Sequence, residues 1–202
     1  MNLKFKIYYD KEILPWIDTI ATFRLTEFRE FPYLYVGNLE SEKKYLRSYS
    51  EIKGSALALA FSDEEVVAIA TGTPLLSDVE AVPGAAEIFL QHGFVSKDFY
   101  YFGEFIVKPH FRHKGITKKL LSELTNYVKS LGYNNICIMT VDREINHPLK
   151  PVDYQDSANI WEKLGFIKTM MKIHIKWPTI SLDNKVEMQD NSLSFWIRDT
   201  RT

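Results

Sequence analysis

The segment Tyr101-Phe102-Gly103-Glu104-Phe105-Ile106-Val107-Lys108-Pro109-His110-Phe111-Arg112-His113-Lys114-Gly115-Ile116-Thr117-Lys118-Lys119-Leu120-Leu121 changes character twice. Phe99–Val107 is apolar and aromatic and reads as a strand. Pro109 marks a turn, and Gly115 stands where the chain enters a helix. Ile116, Leu120, Leu121, Leu124, Val128 and Leu131 then repeat on one helical face, and Gly132 stops it. Lys108, Arg112, Lys114, Lys118 and Lys119 add five cations with no acid among them. A helix start carries unpaired N–H groups and the positive end of the helix dipole. Such a loop is an anion site, and a glycine lets a phosphate approach the backbone closely. One glycine is too few for a dinucleotide fingerprint, and the spacing is not that of a P-loop.

Outward from this segment, Leu3–Tyr9 alternates as a first strand, and Asp10 is expected to cap a helix over Lys11–Phe28. Phe31-Pro32-Tyr33 breaks the helical pattern. Glu40–Tyr49 reads as a second helix. Ser55–Phe61 and Val66–Thr73, joined by Ser62-Asp63-Glu64-Glu65, read as a hairpin. Ser77–His92 is expected to hold a short helix interrupted at Pro83-Gly84. Asn135–Val141 is a buried strand, Asp156–Leu164 a short helix, Phe166–Trp177 a late strand, and Ser194–Arg198 a further one. Strand, helix and strand in succession imply a crossover between parallel strands. The fold class is therefore α/β, a mixed sheet with helices on both faces.

The 202 residues make one domain over 1–202 the expectation. With 25 Lys plus Arg against 26 Asp plus Glu, the formal net charge is -1, so a broadly basic nucleic-acid binder is excluded. One cysteine, Cys137, excludes a disulfide framework and a thiolate metal cluster. The five histidines show no zinc spacing, so no metal is expected. No leader segment is visible and no apolar run is long enough to span a bilayer, which makes the cytoplasm the expected location, with no membrane partner.

Val107-x-Pro109-x-x-Arg112-x-x-Gly115-Ile116-x-x-x-Leu120-Leu121 resembles the acyl-CoA signature of the GCN5-related N-acetyltransferases (GNAT). Arg112 and Gly115 match its Gln/Arg-x-x-Gly-x-Gly/Ala pattern, whereas Thr117 stands where Gly or Ala is usual. Asn159-Ile160-Trp161-Glu162-Lys163-Leu164-Gly165-Phe166 is similar to the family's second block, Tyr-Glu-Lys-x-Gly-Phe. The resemblance covers about 99–167 by motif. It implies a mixed, mostly antiparallel sheet whose central parallel strands, Tyr101–Val107 and Asn135–Val141, splay around a pantetheine arm. It also implies acetyl-CoA or coenzyme A as cofactor, held by Ile106, Val107, Arg112, His113, Lys114, Gly115, Ile116, Thr117 and Lys118.

The implied reaction is acyl transfer, most simply acetyl transfer, to a small-molecule or peptide amine. An amine is protonated at neutral pH, so a base helps. Glu104, in an apolar strand above the phosphate loop, is the candidate. Trp161 stands at the family's usual tyrosine acid, and an indole N–H is not a general acid. Tyr154 in the preceding loop is the substitute. The loop 142–154 is long and begins at a strand C-terminus, where α/β ligand sites gather. Arg143 and His147 are its candidates for the acceptor, and Tyr33 the candidate from the facing wall. The competing reading is a CoA-binding sensor or structural module without catalysis, which the Trp161 replacement favours. A homodimer pairing through the strand at Phe195–Arg198 is a further expectation.

Overall fold

The computed structural model describes residues 2–75 and 82–201. Among the described residues, seven strands form one sheet in the order β1-β2-β3-β4-β5-β7-β6. They are β1 (Leu3–Tyr9), β2 (Ala56–Ser62), β3 (Glu65–Pro74), β4 (Phe99–Val107), β5 (Asn135–Val141), β6 (Ile167–Ile180) and β7 (Val186–Asp199). All neighbours are antiparallel except β4 and β5. The helices are α1 (Ile17–Glu27), α2 (Leu39–Ser50), α3 (Ala85–Gln91), α4 (Ile116–Ser130) and α5 (Ala158–Lys163).

Strand alternation sorts the core into two layers. On one face α4 lays Ile116, Leu120, Leu121, Leu124 and Val128 over Ala58, Tyr100, Phe102, Ile136 and Ile138. Each fully buried Leu-sized side chain there stabilises the fold by about 1.5–3 kcal/mol. On the other face, Ile17, Ile20 and Phe23 of α1 and Leu46 of α2 cover Leu57, Leu59, Ile69 and Ile106. Phe89 of α3 packs there with Phe99, Tyr101, Cys137, Met171 and Phe195. Helices on both faces of a mixed sheet were expected, and the β4–α4–β5 crossover supplies the parallel pair.

Four expectations are corrected. Asp10–Trp16 is a 3-10 segment, and α1 begins only at Ile17. Pro15 lacks the N–H that a regular helix would need. Asp10 caps no helix; its carboxylate accepts the Gly54 N–H at 2.7 Å and ties the segment to the start of β2. The short helix of the second block starts at Ala158, with the Asp156 carboxylate accepting the Ala158 N–H at 2.9 Å. The last strand, expected over Ser194–Arg198, is much longer and spans 14 residues, whereas the one before it runs only three residues past its expected end at Trp177. Residues 76–81, part of the helix expected over Ser77–His92, lie outside the described residues, and α3 follows at Ala85.

β7 lies between β5 and β6: Phe195–Arg198 pairs along its length with β5, and Trp196 and Ile197 pair with β6 as well, so this segment is not an outer sheet edge. Among the described residues, no helix is long and apolar enough to cross a membrane.

Gly72 of β3 sits beneath two rings of β4. An added Cβ would come within 2.5 Å of Tyr100 Cε1 and 2.8 Å of Phe102 Cδ1. Gly72→Ala is therefore expected to destabilise the chain by about 1–3 kcal/mol through overpacking, read as a lowered urea midpoint at constant slope.

Candidate functional site

β4 and β5 hydrogen-bond only from Phe99–Tyr101 to Asn135–Cys137. Beyond those pairs the two strands run on to Val107 and Val141 without pairing. A wedge-shaped gap opens between them toward their C-terminal ends, where α/β ligand sites lie. The β3–β4 register also slips, leaving Gly103 and Glu104 opposite Thr71 in a bulge. Past the bulge, the Lys108 N–H donates to Val67 O at 2.9 Å, so Lys108 and Val67 are a hydrogen-bonded pair. Antiparallel alternation then turns the Ile106 N–H toward β3 and the Val107 N–H toward the gap. The Ile106 side chain is buried under α1 and α2.

The loop below the gap leads into α4. His113 at φ 61° and Gly115 at φ 75° both adopt the left-handed conformation and fold the chain back onto the helix start. Gly115 is the N-cap residue, and the first intrahelical bond runs from Lys119 N to Gly115 O at 3.1 Å. The N–H groups of Ile116, Thr117 and Lys118 therefore lack a helical acceptor. A Cβ built on Gly115 would meet nothing within 4 Å, so the space above these donors is open. The Ile116 side chain is buried in the core, which pins the helix start beneath that space.

Arg112 does not aim its guanidinium at this opening. Its Nε donates to Val107 O at 3.1 Å and its Nη2 to Glu27 Oε2 at 2.6 Å. It staples the loop to the end of β4 and to the C-terminus of α1. Burial pushes the Glu27 carboxyl up despite Arg112 beside it. The Lys114 ammonium lies 5.1 Å from the Phe111 ring, and His113 and Lys118 stand exposed at the rim.

Glu104 is buried on the α1–α2 face. One carboxylate oxygen accepts from Arg24 and the other from the Thr71 hydroxyl. Arg24 also donates to Glu42, which accepts the Tyr35 hydroxyl at 2.6 Å. The Arg24 guanidinium lies 5.1 Å from the Phe28 ring and 5.0 Å from the Tyr45 ring. Burial works against its charge, yet Tyr45 and Glu42 more than offset it and hold its pKa above the ordinary value. Sequence reasoning missed Arg24 and Glu42. One legible trace was a cation, Arg24, among the apolar positions of the first helix.

The expected acceptor residues converge on the loop 28–36. Tyr33 stacks on Phe28 with centroids 4.2 Å apart, and burial pushes its phenol up. Arg143 donates from Nε to Pro32 O at 2.7 Å and from Nη2 to Tyr33 O at 3.1 Å, and Trp177 Nε1 donates to the same Tyr33 oxygen at 3.1 Å. Burial lowers the Arg143 pKa. Phe31 packs against His147 at 5.4 Å and edge-on against Tyr154 at 4.7 Å. His147 Nδ1 accepts the Leu149 N–H at 3.2 Å, and burial and Arg143 keep this imidazole's pKa low. Burial and Asp156 push the Tyr154 phenol up to about 12. A bridge between Tyr35 and Thr179 fastens the loop to β6 on its other side.

Trp161 is buried against Phe105 and Phe166, with centroids 5.1 and 5.4 Å away. It belongs to the core. Cys137 is fully buried, which pushes its thiol up. Among the described residues no group of three or more His, Cys, Asp or Glu is placed to hold a metal ion.

The model of the acetyltransferase (GNAT) family matches residues 21–166. No curated protein matches the chain by sequence. Solved structures match its fold. An N-acetyltransferase from Staphylococcus aureus Mu50 has a TM-score of 0.61 at 15% identity, covering 99% of each chain. The structure of yncA from Salmonella typhimurium with its cofactor acetyl-CoA has a TM-score of 0.59 at 14% identity, covering 99% of this chain and 95% of that one. The ribosomal-protein-S18-alanine N-acetyltransferase from Escherichia coli has a TM-score of 0.56 at 11% identity, covering 98% and 94%.

Arg143 makes two charge-assisted hydrogen bonds that hold the loop 28–36, and such bonds each stabilise by about 1.5–3 kcal/mol. Arg143→Met is expected to speed amide exchange at Tyr35 and Val36 by about ten-fold or more while exchange in α4 stays as it was; ten-fold corresponds to about 1.4 kcal/mol.

Proposed function

The chain belongs to the acetyltransferase (GNAT) family, and on that premise we propose that it transfers an acetyl group from acetyl-CoA to an amine by direct attack in a ternary complex. One observation carries the reading: the gap between β4 and β5 leads to the open space above Gly115 and the first turn of α4. The residues fit a pantetheine pyrophosphate, because backbone donors at a helix start and a glycine without a Cβ are what a phosphate requires. His113, Lys114, Gly115, Ile116, Thr117 and Lys118 would hold it, with Arg112 bracing their loop and Ile106 fixing the strand beside the pantetheine.

When bound, acetyl-CoA supplies an acetyl thioester. The Val107 N–H would donate to its carbonyl oxygen, on which negative charge would grow during attack. Glu104 takes the proton of the amine onto its carboxylate. The raised pKa of Tyr154 keeps its phenol protonated across the neutral range, so it serves as a hydrogen-bond donor toward the departing sulfur. Cys137, buried and held as a thiol, offers no nucleophile, which favours direct transfer over a covalent intermediate. Tyr33, Arg143 and His147 form the acceptor wall. Because Arg143 is engaged by two carbonyls, its part is to hold that wall, and the rings of Phe31, Tyr33 and Tyr154 favour an amine with an apolar or aromatic body.

A second reading, a CoA-binding sensor without catalysis, draws on Trp161, which is packed in the core at the family's acid position, and on Glu104 already held in an ion pair.

Titration of acetyl-CoA by calorimetry, with thiol release followed over a pooled amine library, separates the two. The transferase reading expects binding and release that depends on one amine class. Glu104→Gln is expected to lower kcat by about 10²–10⁴ and to leave acetyl-CoA affinity intact. Gly115→Val, which fills the phosphate space and strains a left-handed position, is expected to abolish most of that affinity. Binding without release for any amine supports the sensor. Unchanged affinity in Gly115→Val contradicts the phosphate site.

A further inference from the structure

We infer that Arg24 is a positioning residue for the reaction: shared between Glu42 and Glu104, it sets the orientation and ionisation of Glu104. The inference rests on the reading of Glu104 as the base. Three charged side chains from three elements meet here: Arg24 on α1, Glu42 on α2 and Glu104 on β4. The two carboxylates are each 4% exposed and the guanidinium 17%, so water screens them little. Two negative charges share one positive charge. Each carboxylate therefore competes for the same guanidinium.

The rest of the surroundings is neutral. Tyr33 and Tyr35 from the loop after α1, Tyr45 and Tyr49 on α2, and Tyr101 on β4 are all pushed above the ordinary phenol pKa, chiefly by burial, and stay protonated. Thr71 on β3 contributes a hydroxyl. Among the described residues, the charges facing Glu104 are thus Arg24 and Glu42, of opposite sign.

Geometry follows the same partition. Thr71 and Arg24 take one carboxylate oxygen each, so the plane of the carboxylate is fixed from β3 and from α1. A base must be held within hydrogen-bond reach of the proton it removes, and a swinging carboxylate is not. The bulge at Gly103-Glu104 turns the side chain out of strand alternation, and Arg24 receives it there. Phe28 and Tyr45 flank the guanidinium, which gives it a place that a more mobile ammonium would hold less firmly.

The test reads the Glu104 carboxyl directly. In protein labelled with ¹³C at glutamate carboxyls, the Glu104 resonance is identified by its loss in Glu104→Gln and titrated with pH. In Glu42→Gln the competitor for Arg24 is gone, and the Glu104 midpoint is expected to fall. In Arg24→Gln the cation is gone, and the midpoint is expected to rise by about one pH unit or more. Arg24→Lys is expected to lie between wild type and Arg24→Gln. The acid limb of thiol release from acetyl-CoA, with water as acceptor where no amine has been found, is expected to move with the midpoint in each variant. Should Arg24→Gln fail to fold, the downward shift in Glu42→Gln decides. A Glu104 carboxyl that titrates alike in wild type and Glu42→Gln overturns the inference. A carboxyl that moves as stated while the rate keeps its pH dependence overturns Arg24's part in the reaction and the reading of Glu104 as base, and leaves acetyl-CoA binding untouched.

Discussion

Two parallel strands that pair over three residues and then part leave backbone groups facing empty space at the centre of a sheet. The rest of the site depends on that parting. It is kept open by packing on both faces: Phe102, Phe105 and Trp161 on the α4 side, and Tyr101 and Ile106 on the other. The bulge at Gly103-Glu104 adds local twist to β4 as it leaves β5. Past it, the Val107 N–H looks into the gap, and the chain turns through Pro109 and Gly115 into α4. Strand end, gap and helix start are thus parts of one backbone path, with no dedicated loop needed to join them.

The second half of the site is made by contacts between elements far apart in the chain. Loop 28–36 is held by Arg143 from one side and by β6 from the other. Its Phe28 touches Arg24, whose guanidinium reaches Glu104. A continuous series of contacts therefore runs from the β5–α5 loop, through Tyr33 and Phe28, to the carboxylate in the bulge. Burial makes this series stiff, since a buried charge that loses its partner is costly to keep. A preorganised wall of this kind suits a reaction in which orientation supplies much of the rate.

Local patterns were legible in the sequence where one element explains its own residues. The alternation of Phe99–Val107, the apolar run of Asn135–Val141 and the helical stripe from Ile116 each depend on period alone, and the turn at Gly115 into α4 is read in the same local way. What periodicity misses is tertiary. Glu104 and Arg24 lie 80 residues apart, and no spacing rule joins them. Glu42 reads as one more surface acid of a charged helix until α2 is docked on α1. β6 runs past the expected end at Trp177, through Pro178 to Ile180, because it is the outer strand there and tolerates a residue without an N–H. Pro15 falls inside the helix expected over Lys11–Phe28, and in the structure the segment is 3-10 up to Trp16. Trp161 was weighed as a lost acid and is also a core ring.

The central claim is that acetyl-CoA occupies the gap between β4 and β5 with its pyrophosphate on the start of α4. Amide hydrogen exchange with and without acetyl-CoA tests it most directly, because the donors in question are backbone N–H groups. Slowed exchange is expected at 113–118 and at Val107, with the outer strands β1 and β6 unchanged. Slowing elsewhere, or none at these amides at saturating acetyl-CoA, would contradict it.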